Sequence, residues 1–263
     1  QLYYREFAHF ADKAIPGTLK VQPPYVVYHV LAQCATVAEA ADLLKNKVTI
    51  MNLPLFGSVP TLHWAFSDRT GEMIVVEPDR DGLKVYRNTI GVMTNSPGYS
   101  WHRLNLLNYA GIRDLDYDVL DLESDRLNQC FSGSGAQGLP GDWSSPSRFI
   151  RLAFLKKYCV KGRDESQGVA NMLHLFQSAA FPLGIVRITE QGTVTEYDKD
   201  ISPYDYTVYT SIMCGESLRF YWTTYQNQQI QCVDMNHLKK GMKAVQFDLE
   251  QPPNLHLLSC PEK

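Results

Sequence analysis

No stretch of this 263-residue chain is long and apolar enough to span a bilayer, because each hydrophobic run is cut by charge or proline. A basic run or stripe is also missing. The 25 Lys and Arg against 28 Asp and Glu leave a net charge of -3, which argues against a nucleic-acid partner. The six cysteines, Cys34, Cys130, Cys159, Cys214, Cys232 and Cys260, never form C-x-x-C, so zinc ribbons and thioredoxin-like chemistry are not indicated. A chain of this size does not need disulfide staples, and the scattered thiols read as reduced in a cytoplasmic protein. H-E-x-x-H and G-x-S-x-G are both absent. The chain opens on Gln1 instead of methionine, so its start reads as processed or trimmed and the lack of a signal peptide says little.

What is present is ordinary for a folded globular protein: 44% hydrophobic and 20% charged residues, enough to bury a core. No internal repeat or linker composition interrupts the chain, and residues 1–263 read as a single domain. Residues 24–45 are expected to be helical, with Val27, Val30, Leu31 and Cys34 on one face. Thr36 and Glu39 have the spacing of a capping box opening a second helical stretch. Strands are expected at "LHWAFSD", "MIVVEP", "LKVYRN" and "TIGVMTN", turning at Arg69-Thr70-Gly71 and Asp81-Gly82. Helices follow at 101–110, at 146–158 with Ser145 as N-cap, and at 168–180. The last third returns to strands in "YDYTVYTSIMC", "SLRFYWTTYQ" and "QIQCVDM". This order, helix then sheet then helix then sheet, predicts an α+β fold in which two antiparallel sheets lie between helix layers.

Local motifs are weak. "GSGAQG" at 133–138 matches G-x-G-x-x-G, but no strand leads into it and "LPGD" follows where a helix is required, so it reads as a surface loop. His63 lies within a strand between Leu62 and Trp64 and reads as a packed core histidine. His9, His29, His102, His174, His237 and His256 have no metal-ligand spacing. Glu77, Asp79 and Asp81 flank a turn, where solvated carboxylates are the default. Cys34 and Cys214 have no neighbouring histidine to make a thiolate and read as structural. Neither cofactor nor metal is indicated.

Five collinear stretches carry more. "LYYREFAHFAD" at 2–12, "LHWAFSDRTGEMIVVEP" at 62–78, "GVMTNSPGYSWHRLNLLNYAGI" at 91–112, "GLPGDWSSPSRFIRLAF" at 138–154 and "YDYTVYTSIMC" at 204–214 together resemble the choloylglycine hydrolase family, which comprises penicillin V acylases and conjugated bile acid hydrolases. The resemblance implies the N-terminal nucleophile hydrolase fold, a four-layer αββα sandwich. It also implies hydrolysis of a linear amide by an N-terminal cysteine thiolate whose own α-amine acts as base, which is sensible because an α-amine titrates near neutrality.

Residue by residue, the resemblance implies that Asn95 donates its side-chain amide to the oxyanion, that Tyr3 donates its backbone N–H there, and that Arg148 places a fixed positive charge beside the thiolate. Read locally, Asn95 is a turn residue ending a strand and Arg148 a helix-surface arginine. The "NLPLFGSVP" loop corresponds to a substrate loop, with Leu55 and Phe56 facing an acyl group. The "YYREFA" context is closer to penicillin V acylases than to bile acid hydrolases. Homo-oligomers are implied as well.

The pattern departs from the family at its start. The nucleophilic cysteine, an aspartate, an arginine and the strands that precede "LYYREFA" have no counterpart, and Gln1 cannot act as a thiol nucleophile. The expectation is therefore an amidase-family chain lacking its N-terminal strands, inactive in isolation and poorly soluble or oligomeric through its exposed sheet edges. The alternative is a catalytically inactive homologue that binds a small molecule in the same pocket.

Overall fold

β-branched and aromatic residues crowd two consecutive stretches, Leu62–Ser67 and Met73–Asp79, and these form the centre of the first sheet in the computed structural model. The structure describes residues 1–188, 204–239 and 241–259, which fall into two units, Gln1–Tyr158 and Cys159–Lys263.

In the first unit the elements run β1 (Leu2–Tyr3), β2 (Leu19–Val21), α1 (Val26–Gln33), α2 (Val37–Asn46), β3 (Val48–Ile50), β4 (Leu62–Ser67), β5 (Met73–Asp79) and β6 (Gly82–Tyr86). They continue with α3 (Tyr99–Asn105), β7 (Val119–Leu122), β8 (Asp125–Asn128) and α4 (Ser145–Tyr158). The main sheet has the order β1-β4-β5-β6, antiparallel throughout. Both expected turns form: Gly71 adopts φ 83 between β4 and β5, and Gly82 adopts φ 117 where β6 leaves Arg80-Asp81. β2 pairs in parallel with β3.

Strand alternation divides β4 and β5 between two apolar clusters. Leu62, Trp64, Phe66, Ile74 and Val76 pack with Val26, Val30, Ala40, Leu43 and Leu44 of α1 and α2. Val75 points to the opposite face and meets Val92, Tyr99 and Phe149. With both faces covered, β5 reads as a continuous apolar run rather than an alternating one.

The capping box forms as expected: Thr36 Oγ1 accepts from Glu39 N–H, and the Glu39 carboxylate accepts from Thr36 N–H. The α1 face differs from the sequence reading, because Leu31 is 70% exposed and Val26 takes the buried position beside Val30.

"TIGVMTN" is not a strand. The sheet ends at Tyr86, and Thr89 to Asn95 runs as an extended loop. Gly91 at φ 75 breaks any ladder, and the backbone polar groups bond elsewhere: Ile90 N–H donates to Tyr99 Oη and Ile90 C=O accepts from Lys156 Nζ. The fourth helix begins at Ser145, one residue earlier than expected, so Ser145 is not the cap. Ser144 Oγ accepts from Ser147 N–H at 3.4 Å, while the Ser145 hydroxyl donates to Thr94 Oγ1 at 3.0 Å. The short hairpin β7–β8, Val119–Leu122 against Asp125–Asn128, lies in a stretch for which the sequence predicted no strand.

The second unit contains α5 (Glu165–Gln177), β9 (Val186–Arg187), β10 (Tyr204–Asp205), β11 (Tyr209–Cys214), β12 (Arg219–Thr224) and β13 (Gln231–Asp234). Asp164 caps α5 by accepting from Gln167 N–H, which moves the helix start upstream of the expected residue 168. β11, β12 and β13 form an antiparallel sheet, and Trp222 stacks obliquely on Phe220 and Phe247. "YDYTVYTSIMC" is split, its first two residues pairing with β9. Cys34, Cys130, Cys159, Cys214 and Cys232 are free thiols; Cys260 lies outside the described residues.

Candidate active site

Asn95 sits where the extended loop meets the start of α3. Its side-chain Oδ1 accepts from an Arg148 guanidinium N–H at 2.8 Å, and its Nδ2 donates to the Tyr3 carbonyl at 3.0 Å. Arginine carries no acceptor, so the oxygen of the amide must face Arg148 and the nitrogen must face Tyr3. The amide's second N–H makes no hydrogen bond among the described residues. The structure thus brings together three residues, Tyr3, Asn95 and Arg148, that are far apart in the chain.

Tyr3 belongs to β1, the edge strand of the main sheet. Tyr4 N–H donates to Thr61 C=O at 2.7 Å, and Tyr3 is paired opposite Leu62. Antiparallel pairing alternates, so the Tyr3 N–H and C=O both turn away from β4, towards the side where Asn95 lies. The Tyr3 side chain is 60% exposed.

Arg148 stands in the first turn of α4, and a rigid bracket fixes that turn. The Asp142 carboxylate accepts from Ser144 N–H at 2.8 Å and from the Ser147 hydroxyl at 2.6 Å. The hydroxyl and amide donors of Ser144 and Ser147 draw the Asp142 pKa down to about 2, so it remains an acceptor at neutral pH. Arg151 donates to the Pro140 carbonyl at 2.8 Å and the Asp142 carbonyl at 2.5 Å, closing the "GLPGD" stretch over the helix start. Arg148 Nε also donates to Trp143 C=O at 3.0 Å. Two bonds in different directions hold the guanidinium plane in place.

The backbone of Asn95 is held from below. His102 Nε2 donates to Asn95 C=O at 3.1 Å, which assigns the proton to Nε2, and the ring stacks on Phe149 with centroids 4.5 Å apart. Burial pushes the His102 pKa below its ordinary value. Thr94 Oγ1 donates to Ser145 C=O at 3.1 Å, tying the same loop to α4.

Leu55 and Phe56 lie on a separate tight turn, where Leu55 is half-buried and bridges to Ser58. Phe56 is 92% exposed at φ 50, a left-handed conformation that costs a bulky residue about 1–3 kcal/mol.

Two sequence readings need correction or refinement here. Glu77 is not a solvated turn carboxylate: it is 1% exposed and accepts from Tyr99 N–H through both oxygens, at 2.8 and 3.1 Å. Alternation could have flagged it, since Glu77 shares a strand face with Val75. The glycine stretch at 133–138 is not an open surface loop: Ser134–Ala136 form a 3-10 turn with Ser134 buried, and its donors converge on Asp116 Oδ1, which accepts from Gly133 N–H at 2.8 Å, the Ser134 hydroxyl at 3.2 Å and Gly135 N–H at 3.4 Å. His63 is packed as expected and meets Glu77 through Nδ1 at 3.2 Å.

An edge-strand backbone, an oriented amide and a fixed cation set on an α+β scaffold define the class: this is the N-terminal nucleophile hydrolase fold, which the similar solved structures share. Residues 1–248 match the family described as linear amide C–N hydrolases, choloylglycine hydrolase family, and the chain belongs to that family.

A bile salt hydrolase/transferase of Clostridium perfringens is 35% identical over 237 residues, covering 89% of this chain and 68% of the relative. A bile salt hydrolase/transferase of Lactiplantibacillus plantarum is 32% identical over 235 residues, covering 88% and 68%. A solved mutant of the conjugated bile acid hydrolase from Clostridium perfringens superposes with TM-score 0.85 at 32% identity, over 98% of this chain and 76% of that one. The penicillin V acylase of Agrobacterium tumefaciens shares the fold, with TM-score 0.64 at 19% identity over 88% and 62%. The chain thus spans 68% of the length of these two curated relatives. No helix among the described residues is long and apolar enough to cross a membrane.

Proposed function

We propose that this protein hydrolyses the amide bond of conjugated bile acids, with Asn95 and the Tyr3 N–H stabilising the tetrahedral oxyanion and Arg148 orienting Asn95. The observation that carries the reading is the Arg148–Asn95–Tyr3 chain of hydrogen bonds, which leaves one amide N–H of Asn95 without a partner among the described residues. A neutral amide suits this role because it donates to developing negative charge without carrying a titrating proton. Tyr3 N–H points to the same side of the edge strand, so two donors converge from different elements.

In the reaction implied by the family, a thiolate adds to the amide carbonyl and its electron pair moves to the carbonyl oxygen. Collapse expels the amine, which takes a proton, and water then cleaves the thioester. The Arg148 charge favours the thiolate over the thiol. Phe56, exposed on its tight turn beside Leu55, is suited to close on an apolar acyl group.

Two observations pull the substrate in different directions. The curated relatives at 35% and 32% identity are bile salt hydrolases, which favours a steroid acyl group joined to glycine or taurine. Tyr3 with the "YYREFA" context favours penicillin V, whose acyl group is phenoxyacetyl. The deciding experiment incubates the natural full-length protein with glycine and taurine conjugates of bile acids and with penicillin V. Released glycine or taurine supports the first reading and released phenoxyacetic acid the second. Release of neither by folded protein overturns the hydrolase and leaves a small-molecule binding module.

A further inference from the structure

Glycine at the N-cap of α3 is an odd choice, because Gly98 has no side chain to accept from the helix's first amides. The acceptor comes instead from β5. Glu77 is turned into the interior on the same face as Val75 and takes Tyr99 N–H on both carboxylate oxygens. A carboxylate 1% exposed is costly unless its bonds are complete, and His63 Nδ1 supplies a second donor at 3.2 Å. That bond places the proton on Nδ1, and His63 Nε2 is left buried without a partner among the described residues.

The Tyr4 ring lies flat on His63, with centroids 4.6 Å apart and planes 6° off parallel. Its hydroxyl donates to Asp79 Oδ1 at 2.9 Å. Burial, and next the Glu77 charge, push the Tyr4 pKa up, so the hydroxyl remains a neutral donor.

These groups meet at Gly98. A Cβ there would stand 2.6 Å from Tyr4 Oη and 2.9 Å from Glu77 Oε2, so any larger residue displaces one of these two side chains. Gly98 is three residues after Asn95, and Tyr4 is the residue after Tyr3. The network therefore spans from the strand residue with the outward N–H to the turn that aims the amide. His102 closes it from the other side through Asn95 C=O.

We propose that Glu77, with Tyr4 and His63, is a positioning device that sets the distance between the two oxyanion donors, the Tyr3 N–H and the Asn95 amide. The role rests on the oxyanion reading of those two groups. None of the three side chains is required to touch substrate. Their effect falls on the step in which charge develops on the carbonyl oxygen, because a displacement of about 1 Å in a donor costs on the order of 100-fold in rate. Uniform binding of the ground state is left alone.

The test measures kcat and KM on whichever amide the natural full-length protein cleaves, with rates normalised to folded protein quantified by circular dichroism. Glu77→Gln keeps the shape but turns one acceptor into a donor. It is expected to lower kcat by roughly 10- to 100-fold while KM stays within about 3-fold. Gly98→Ala, whose Cβ would press on both Tyr4 Oη and Glu77 Oε2, is expected to lose as much. Asn95→Ala is run beside them.

If Asn95→Ala loses turnover while Glu77→Gln and Gly98→Ala keep the parent kcat per folded molecule, the positioning role is overturned and the oxyanion reading stands. If Asn95→Ala turns over normally, the oxyanion reading fails and the positioning role fails with it. Should Glu77→Gln fold too poorly to assay, Gly98→Ala decides alone, a parental kcat per folded molecule overturning the proposal.

Discussion

Two loops of the first unit are built from the same turn residues yet end in opposite states. The 92–98 loop, with Asn95, Ser96, Pro97 and Gly98, holds its amide by one oxygen and one N–H and leaves the other N–H without a partner among the described residues. The 133–138 loop turns three donors, the Gly133 and Gly135 N–H groups and the Ser134 hydroxyl, onto the Asp116 carboxylate. A concave row of N–H groups is an anion site only while nothing inside the protein fills it. Asp116 fills the second loop, so a match to G-x-G-x-x-G there carries structural meaning and no ligand. The first loop has its supports on the outside, from Arg148, His102 and Glu77, and one Asn95 amide N–H has no partner among the described residues.

The largest separation between the loops is expected in turnover. Asn95→Ala should lower kcat by about 100- to 1000-fold with the thermal midpoint little changed, measured by amide release beside calorimetry. A near-parental kcat would remove Asn95 from the oxyanion role and erase the contrast. Next in size, Arg148→Ala leaves the Asn95 amide free to rotate and is expected to cost roughly 10- to 100-fold, with Arg148→Lys recovering little because a point charge cannot reproduce the two-directional grip. Full recovery in the lysine variant would show that charge alone matters there.

Gly135→Ala tests the other loop. Its Cβ would lie 2.3 Å from Leu115 O and 2.7 Å from Arg113 O, both backbone atoms that cannot swing aside. Stability should fall by about 1–3 kcal/mol, read by urea unfolding, while turnover per folded molecule is unchanged. A selective loss of turnover would make the glycine loop part of the site.

The smallest effect is in pH. Burial depresses the His102 pKa from 6.5, so the folded state binds fewer protons than the unfolded chain below that pH. The associated stability is complete above pH 6.5 and is lost as pH falls through the folded value. Replacing His102 by Gln should flatten the decline in urea midpoint between neutral pH and mild acid. An unaltered decline would assign it to other groups.

Much of this was legible from residue order. The Thr36–Glu39 spacing places a capping box, Gly71 and Gly82 place turns, and Leu62 to Asp79 places the paired strands, because each depends on contacts within a few residues. "TIGVMTN" misled because its apolar residues suit a strand, yet Val92 packs against Tyr99 and Phe149 and its neighbours bond to side chains instead of a ladder. Glu77 misled because a carboxylate near a turn is usually wet, and only the arrival of α3 at the end of β5 buries it. The joining of Tyr3, Asn95 and Arg148 was reached through resemblance to a family, not through spacing.

The sequence by itself determined which residue types are available: a neutral amide before a Ser-Pro-Gly turn and an arginine in the first turn of a helix. Periodicity and turn chemistry act over short distances, so these assignments need no partner far along the chain. Tertiary structure alone decided which way each group points. Hydrogen-bond direction depends on atoms brought together across separations of 92 and 53 residues, and it is this that turns the oxygen of Asn95 to Arg148 and its nitrogen to Tyr3.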